Sequence, residues 1–310
     1  MDIRSADAAI TDFHHGFARF GSRLRHFPDF NLTQPGDETN THGRLQKTNP
    51  DPNREPSGID GDDASRTSAV SGIRSHPDRG VYSTAHQLQV QCMALAPKLS
   101  IEVFSDLVCP WCFIGKRRLD RVLASPAGEG VEVHWRAYQL APRLPPDGID
   151  RARYYQSKFG SDGKTVPKRI AEEAAGEGLT FNFAAINKMP NTFLGHRLMV
   201  FAEESRGPAA QHLLADVLFR AYFQEGRDVG DLQTLVQAAA EAGLDAHAAE
   251  AWLAGDAGKD RVQEELDRAV ELGIQGVPSF VLGGVFPIPG AQTVEVMTTF
   301  IERAKTRLAS

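Results

Sequence analysis

The sequence predicts an α/β fold in which two strands flank a helix and a long helical segment precedes a last strand pair. Leu99–Ser105 alternates apolar and polar residues as a half-buried strand does, and a helical pattern follows from Phe113. A second alternating run, residues 131–138, completes a β-α-β unit. Helical spacing then dominates until a strand-like segment near Pro278. Residues of about 150–272 would therefore form a large helical insertion between the strands.

The composition favours a soluble globular protein without affinity for polyanions. The 310 residues are 41% hydrophobic and 24% charged, and the net charge is −6 with a pI near 5.9. Such a chain offers no basic field to nucleic acid or to an anionic membrane, and it has no apolar run near the ~18 residues of a membrane span. Three cysteines are too few for a disulfide framework, which favours a reducing, cytoplasmic compartment.

Residues 1–92 differ in composition from the rest of the chain. Residues 31–80 contain no aromatic residue and only five Leu, Ile or Val residues, too little apolar surface to offset the entropy of ordering. We therefore predict a disordered extension over residues 1–92 and a globular domain over residues 93–310. Met93 would be a conventional start for that domain, so the extension is either natural or an artefact of an upstream translation start. Residues 1–30 lack the continuous apolar segment of a secretory signal.

The stretch Cys109-Pro110-Trp111-Cys112 lies where the first strand meets the first helix. The free N–H groups at a helix N-terminus favour an anion, so Cys109 is the candidate nucleophile, and we expect its sulfur to be exposed. Cys112, one turn into the helix, is the candidate resolving thiol. Pro110 presets a first helical turn without losing a hydrogen bond. Trp111 adds a partly exposed apolar surface beside the sulfurs.

Zinc binding and a structural disulfide are the two alternatives for this cysteine pair. Zinc needs four ligands, usually from two such pairs or from a pair with nearby histidines. The chain has no second C-x-x-C, and His134 and His196 are isolated in the sequence. A disulfide across two intervening residues closes a loop too small to stabilise much. Thiol chemistry is favoured, and we expect no metal.

Caps and glycines divide the helical segment. Asn191 and Asp231 precede helical patterns as N-caps, and Gly243 and Gly273 end them. A short extended piece is expected at residues 179–183. The predicted helices cover Arg151–Phe159 and residues 166–175, 192–204, 209–224, 232–242, 246–253 and 256–272.

The last part of the chain predicts a strand hairpin and a helix. The first of these strands begins with Pro278, a residue tolerated at a strand's first position. Gly283-Gly284 predicts a two-residue hairpin turn into a strand at residues 285–288. Residues 293–307 have the spacing of a terminal amphipathic helix.

Four segments carry a resemblance to a known family. They are FSDLVCPWCFIGKRRL at residues 104–119, NTFLGHRL at 191–198, AYFQEGRDVGD at 221–231 and LGIQGVPSFVL at 272–282. With the order of elements, they make residues 99–308 resemble the DsbA-like branch of the thioredoxin fold. The chain is most similar to its FrnE-type subgroup, which is related to 2-hydroxychromene-2-carboxylate isomerase and kappa-class glutathione transferase. Gly195 and Thr293 stand where that subgroup usually has alanine and proline, which puts substrate contacts in doubt.

The resemblance implies a thiol-disulfide oxidoreductase acting through the Cys109–Cys112 dithiol. It also implies that Val277-Pro278 forms a cis-proline loop beside Cys109, and that the backbone of Val277 pairs with a bound peptide or thiol. The substrate would be a thiol or disulfide, in a protein or a small molecule. No cofactor is expected. Glutathione is a possible co-substrate, and the chain is a possible homodimer.

Two other functions compete with this one. The sister groups of the FrnE type act as glutathione-dependent isomerases or transferases, and they usually have serine where Cys109 stands. In that case Asn191 and His196 would line the substrate cleft, whereas otherwise Asn191 caps a helix and His196 packs in the core. The third hypothesis is a non-enzymatic adaptor that binds clients through apolar surface around Trp111.

Overall fold

The structure, a computed structural model, describes residues 99–308. The predicted disordered extension, residues 1–92, lies outside the described residues. Within residues 99–308, no helix is long and apolar enough to cross a membrane.

The described residues form six strands and nine α-helices. The strands are β1 (Leu99–Ser105), β2 (Val131–Ala137), β3 (Ile149–Asp150), β4 (Lys188–Met189), β5 (Ser279–Leu282) and β6 (Phe286–Pro289). The helices are α1 (Pro110–Leu123), α2 (Arg151–Phe159), α3 (Lys168–Gly176), α4 (Phe193–Arg206), α5 (Pro208–Phe223), α6 (Leu232–Glu241), α7 (Ala246–Ala254), α8 (Lys259–Glu271) and α9 (Val294–Leu308).

Four strands form the main sheet in the order β2-β1-β5-β6. β1 pairs in parallel with β2, and β5 pairs antiparallel with both β1 and β6. A parallel pair needs a crossover connection, which α1 supplies here. The predicted β-α-β unit is therefore confirmed. The carboxyl ends of β1 and β2 lie side by side, so the cysteine loop after β1 is next to the segment that follows β2.

The free edge of β2 is covered by two buried side chains. Gln211 of α5 accepts a hydrogen bond from Trp135 N at 2.8 Å and donates one to Trp135 O at 3.1 Å. Glu265 of α8 accepts from Ala137 N at 2.8 Å. The side chains thus satisfy backbone groups that an edge strand otherwise leaves open.

An aromatic cluster fastens α1 to the helices inserted between β2 and β5. Phe113 stacks on Phe219 and Phe223 of α5, with ring centroids 5.3 Å and 6.3 Å apart, and on Phe181, 6.0 Å away. Phe113, Phe219 and Phe223 are almost fully buried. Because aromatic rings bury large apolar areas, this contact holds the cysteine-bearing helix rigidly.

Three local details of the structure go beyond the prediction or differ from it. The extended piece predicted at residues 179–183 ends one residue early, because a 3-10 turn, Phe183–Ala185, begins at Phe183. The hairpin turn has three residues, since Leu282 pairs with Phe286 and Val285 N donates to Leu282 O. The small sheet of β3 and β4 was not predicted, because two-residue strands are too short to show a period.

Candidate active site

The cysteine loop begins α1 as the sequence predicts. Cys109 is the N-cap residue in extended conformation, Pro110 is the first helical residue, and Cys112 N donates to Cys109 O at 3.0 Å. Cys109 N in turn donates to Asp106 O at 3.0 Å. Both cysteines are free thiols. The loop therefore presents a reduced dithiol at a helix N-terminus.

The expected exposure of Cys109 is wrong: only 4% of the residue is accessible. The segment before β5 covers it, and Cys109 Sγ donates to Val277 O at 3.5 Å. These two residues are far apart in the sequence, so local spacing could not indicate the cover.

The Val277–Pro278 peptide bond is cis. Pro278 is buried against α1 at Gly115, where an added Cβ would lie 3.0 Å from Pro278 Cγ and 3.4 Å from Phe280 Cζ. Glycine thus permits the close approach of α1 to the proline loop. Gly115 was not among the predicted site residues, although a glycine three residues after Cys112 inside a helical pattern is a signal of such an approach.

Cys112 is more deeply buried than Cys109, with 1% of the residue exposed. Burial raises the pKa of the Cys112 thiol well above its ordinary value, and the neighbouring Cys109 raises it further. The Ser105 hydroxyl and the Asp106 amide oppose this rise, because each could donate a hydrogen bond to a Cys112 thiolate. Cys112 therefore holds its proton in the reduced protein, as expected of the shielded member of a pair.

Two arginines join α1 to α3. Arg118, almost buried, donates to Glu177 Oε1 at 2.9 Å, to Glu173 and to Ala291 O at 2.6 Å. Near the other end of α1, the Arg169 guanidinium lies 5.3 Å from the centre of the Trp111 ring. Trp111 is half-buried, so α3 borders the dithiol.

The two residues predicted to line a substrate cleft, Asn191 and His196, both form hydrogen bonds within the protein. Asn191 Oδ1 accepts from Phe193 N and from Gln139 Nε2, both at 3.0 Å, and Asn191 Nδ2 donates to Leu144 O at 2.8 Å. Asn191 thus links the start of α4 to the segment that follows β2. The residue next to that helix is Thr192, so the predicted cap position is displaced by one.

His196 lies beneath the cysteine loop rather than on the surface. It is 4% exposed, its Nε2 donates to Tyr138 O at 3.0 Å, and Nε2 is 3.6 Å from Asp106 Oδ1. Gly195, beside it, allows α4 to approach, since an added Cβ would lie 2.5 Å from Leu107 Cδ1. The glycine that departs from the subgroup's pattern thus makes room for Leu107.

Asp106 is a buried carboxylate that the sequence analysis did not single out. It is 1% exposed, and its Oδ2 accepts from Leu140 N at 2.7 Å. Its Oδ1 and the Ser105 hydroxyl have no hydrogen-bond partner among the described residues. Burial and the charges of Asp106 and Cys109 raise the pKa of Tyr138. An acidic residue between an apolar strand and Cys109 is the signal that could have found this group.

Comparisons with known proteins agree with this geometry. The family model of the DSBA-like thioredoxin domain matches residues 100–302. The uncharacterized protein YwbO of Bacillus subtilis (strain 168) is 32% identical over 198 residues, which cover 63% of this chain and 92% of that protein.

Two solved structures show the same fold. A probable DsbA oxidoreductase from Streptomyces coelicolor is 34% identical, with a TM-score of 0.59 over 66% of this chain and 89% of that one. A 2-hydroxychromene-2-carboxylate isomerase is 18% identical, with a TM-score of 0.50 over 68% of this chain and 98% of that one. At 18% identity, the similarity to the isomerase shows only that the two chains share a fold.

Proposed function

Since the chain belongs to the family of DsbA-like thioredoxin domains, we propose that it is a thiol-disulfide oxidoreductase whose reactive groups are Cys109 and Cys112. The observation that carries the proposal is the reduced dithiol at the start of α1, with Cys109 Sγ 3.5 Å from the carbonyl oxygen of Val277. Neither cysteine is part of a disulfide. The FrnE-type subgroup is a finer prediction that goes with this proposal.

Each of the two sulfurs carries out one step of the proposed reaction. The Cys109 thiolate attacks a substrate disulfide, a Cys109–substrate bond forms, and the other substrate sulfur leaves with the electron pair of the broken bond. Cys112 then attacks Cys109 Sγ, forms the intramolecular disulfide and releases the second substrate sulfur as a thiolate. The enzyme is thereby oxidised and the substrate reduced. The reverse sequence oxidises a dithiol substrate.

The loop residues assist by position. Pro110 begins the helix, and Trp111 offers a half-buried ring to the substrate chain. The backbone of Val277, held beside Cys109 by Pro278, is where we expect an extended peptide or thiol to pair. Substrate contacts by Asn191 and His196 stay a prediction, and in the structure these side chains bond to protein groups.

A glutathione-dependent isomerase or transferase is the alternative, because the fold is shared with 2-hydroxychromene-2-carboxylate isomerase. The two functions differ in their need for Cys112. Glutathione would be a co-substrate of the alternative, and either a substrate or a redox partner of the oxidoreductase. The cytoplasmic location and the homodimer stay predictions.

The test is the redox equilibrium of the full chain in glutathione buffers, followed by Trp111 fluorescence and thiol trapping. We expect one two-electron midpoint that is lost in Cys109→Ser and in Cys112→Ser. Cys92→Ser is the matched control, because it removes a thiol outside the pair and should leave the midpoint unchanged. If no disulfide joins Cys109 and Cys112 at any poise, the oxidoreductase is excluded. Glutathione-dependent isomerisation that survives Cys112→Ser would then support the alternative.

A further inference from the structure

Within residues 99–308, Arg169 in the first turn of α3 is an arginine without an ion-pair partner. Both acidic residues of α3 pair with other bases. Glu173 is paired with Arg118 of α1. Glu172 is paired with Lys168, at 3.7 Å between Oε1 and Nζ. The guanidinium of Arg169 therefore keeps its charge available for a group that does not belong to the described chain.

Arg169 is nonetheless held in a defined place beside the cysteine loop. Its guanidinium carbon lies 5.3 Å from the centre of the Trp111 ring, within the range of a cation–π contact. Trp111 stands between the two cysteines in the sequence and is half-buried, whereas Arg169 is exposed. The contact thus places a cation that is open to solvent at the border of the dithiol.

The helix that carries Arg169 is fastened to the helix that carries the cysteines. Arg118 of α1 is almost buried and donates to Glu177 Oε1 at 2.9 Å and to Glu173. Charge-assisted hydrogen bonds of an arginine with low exposure hold their geometry better than a solvated surface pair. Arg169 is therefore positioned before a substrate arrives, and less of the binding energy has to be used to order it.

The segment around Arg169 is basic, although the chain as a whole is acidic. Residues 164–169, KTVPKR, contain three basic residues and no acidic one, whereas the net charge of the chain is −6. Lys164 and Lys168 are exposed like Arg169. Because exposed charges act over about 10 Å at ordinary salt, a negative group near Trp111 is attracted by this segment rather than repelled by the distant acidic residues.

An arginine at such a place suits a carboxylate. The guanidinium presents several N–H donors in one plane, which match the two oxygens of a carboxylate. Small thiols and peptides that contain cysteine commonly carry carboxylates as their anionic groups. Trp111 is two residues from Cys109, so a carboxylate close to the reacting sulfur of a substrate lies on the side where Arg169 is held.

We propose that Arg169 binds a carboxylate of the thiol or disulfide substrate while the substrate sulfur reacts at Cys109. The preferred substrates are then disulfides with a carboxylate near the sulfur, as in glutathione disulfide or in a peptide with an acidic residue beside cysteine. Arg169 is a binding residue and takes no part in electron transfer. The inference rests on the proposed dithiol function.

The test compares three small disulfides that differ in charge. They are 3,3′-dithiodipropionate with two carboxylates, bis(2-hydroxyethyl) disulfide without charge, and cystamine with two ammonium groups. Reduced full-length protein is mixed with each, the reaction is quenched with acid, and the remaining thiols of Cys109 and Cys112 are alkylated and counted by mass spectrometry. Each rate constant of a variant is divided by that of the native protein with the same disulfide, so the intrinsic reactivity of the disulfide cancels.

We expect Arg169→Gln to slow the reaction with the dianionic disulfide about fivefold, the scale of an exposed ion pair, and to leave the neutral one unchanged. Arg169→Glu should slow the dianionic disulfide further and speed the reaction with cystamine. Salt screens exposed charges, so the difference between the native protein and Arg169→Gln should shrink as salt rises from about 0.01 M to about 1 M. A purely structural role of Arg169 would not produce this dependence on salt and on substrate charge.

Two variants with the same change of charge serve as controls. Arg303→Gln lies on α9, two residues before Lys305, which donates to Ala127 O beyond the carboxyl end of α1. It is therefore remote from the dithiol and should change none of the three rates. Lys168→Gln removes a neighbouring charge that does not contact Trp111, so it should slow the dianionic disulfide less than Arg169→Gln does.

Two further disulfides identify the source of the carboxylate. One is glutathione disulfide, and the other is the disulfide of an Asp-Cys-Asp peptide with blocked ends, compared with the Asn-Cys-Asn peptide. A loss of rate in Arg169→Gln with glutathione disulfide supports the inference and assigns glutathione. A loss with the Asp peptide but not with the Asn peptide supports it and assigns an acidic peptide.

Two outcomes would overturn the inference. Arg169→Gln could change the rates with all three small disulfides by the same factor, or Arg303→Gln could slow the dianionic disulfide as much as Arg169→Gln does. In both cases the neutral disulfide still oxidises the Cys109–Cys112 pair of the native protein, so the dithiol function stands. A native protein in which none of the three reagents joins these cysteines would contradict the dithiol function itself.

Discussion

Two buried polar clusters adjoin each other at the end of β2, and they differ in how their polar atoms are satisfied. In the Arg136 cluster, the guanidinium donates to Glu102, Glu203 and Glu265, with distances of 3.3, 2.7 and 3.3 Å. In the Asp106 cluster, made of Ser105, Asp106 and His196, the Ser105 hydroxyl and Asp106 Oδ1 have no hydrogen-bond partner among the described residues.

The difference separates groups that hold the fold from groups that are free to act. A fully paired buried network fixes its members, because every move breaks a hydrogen bond in a low dielectric. An unpaired hydroxyl or carboxylate oxygen has a lone pair or a hydrogen available for a reaction. In these two clusters, the unpaired atoms lie in and just after β1, before the cysteine loop, whereas the paired ones join strands to helices. Buried atoms of Arg151, Asp216 and Trp252 also lack a hydrogen-bond partner among the described residues, so this lack alone does not mark a reactive group.

The largest effect is expected from Arg136→Met. The variant removes the buried cation that three carboxylates share. Glu102 keeps Arg268 and Glu203 keeps His134, but the buried Glu265 loses its buried partner, so the free energy of unfolding should fall by about 3–5 kcal/mol. Urea unfolding followed by circular dichroism measures it. A loss below ~1 kcal/mol, which is typical of an exposed ion pair, would show that the Arg136 cluster does not stabilise the fold. The contrast drawn between the two clusters would then be wrong.

A pH series sharpens the comparison within the Arg136 cluster. Burial acts to raise the pKa of Glu203, but hydrogen bonds from Arg136 and His134 hold it below its usual 4.5. Its contribution to stability is present above the unfolded pKa and is lost as the pH falls through the folded pKa. The difference in unfolding free energy between the native protein and Glu203→Gln should therefore shrink on acidification below pH 4.5.

The contribution of Glu265 to stability should depend on pH in the opposite direction, so Glu265 serves as the internal control. Burial raises its pKa above the usual value. Its favourable contribution is present at low pH and is lost as the pH rises through the folded pKa. Glu265→Gln should accordingly gain stability relative to the native protein as the pH rises. Parallel pH curves for the two variants would contradict both assignments.

Asp106→Asn tests the other cluster. An amide oxygen can still accept from Leu140 N, so we expect the free energy of unfolding to fall by only about 1 kcal/mol. Urea unfolding followed by circular dichroism measures the change, with Arg136→Met as the reference. A loss of several kcal/mol would place Asp106 with the structural groups.

The smallest effect is expected at the exposed border of the Arg136 cluster. Arg268 is paired with Glu102 at 2.8 Å, but 41% of its side chain is exposed. Exposed pairs contribute about 0–1 kcal/mol, so Arg268→Ala should lower the unfolding free energy by less than ~1 kcal/mol. A loss equal to that of Arg136→Met would show that burial does not govern these ion pairs.

Local patterns predicted the elements that depend on neighbouring residues. The bounds of β1 and α2 are as predicted, and Asp231 caps α6 through a hydrogen bond from Thr234 N at 2.9 Å. The dithiol at the start of α1 also follows from local sequence. Alternation, caps and helix breakers act over a few residues, so a sequence shows them directly.

The missed features depend on segments brought together from distant parts of the chain. The family resemblance placed the Val277-Pro278 loop beside Cys109, but the burial of the sulfur under Val277, 168 residues away, was missed. A void beneath the cysteine loop joins β1 to α4, and Asp106 is held by Leu140 from the segment after β2. No periodicity in the sequence shows which distant backbone group a buried carboxylate will contact.

The side chains that border β2 also limit how copies of this domain can associate. Gln211 and Glu265 occupy backbone groups along one side of the main sheet. On the opposite side, two of the four residues of β6 are prolines, Pro287 and Pro289, which have no N–H to donate. Within residues 99–308, neither side offers an open ladder to a neighbouring molecule. Growth into a continuous intermolecular sheet through the edges of the main sheet is therefore disfavoured.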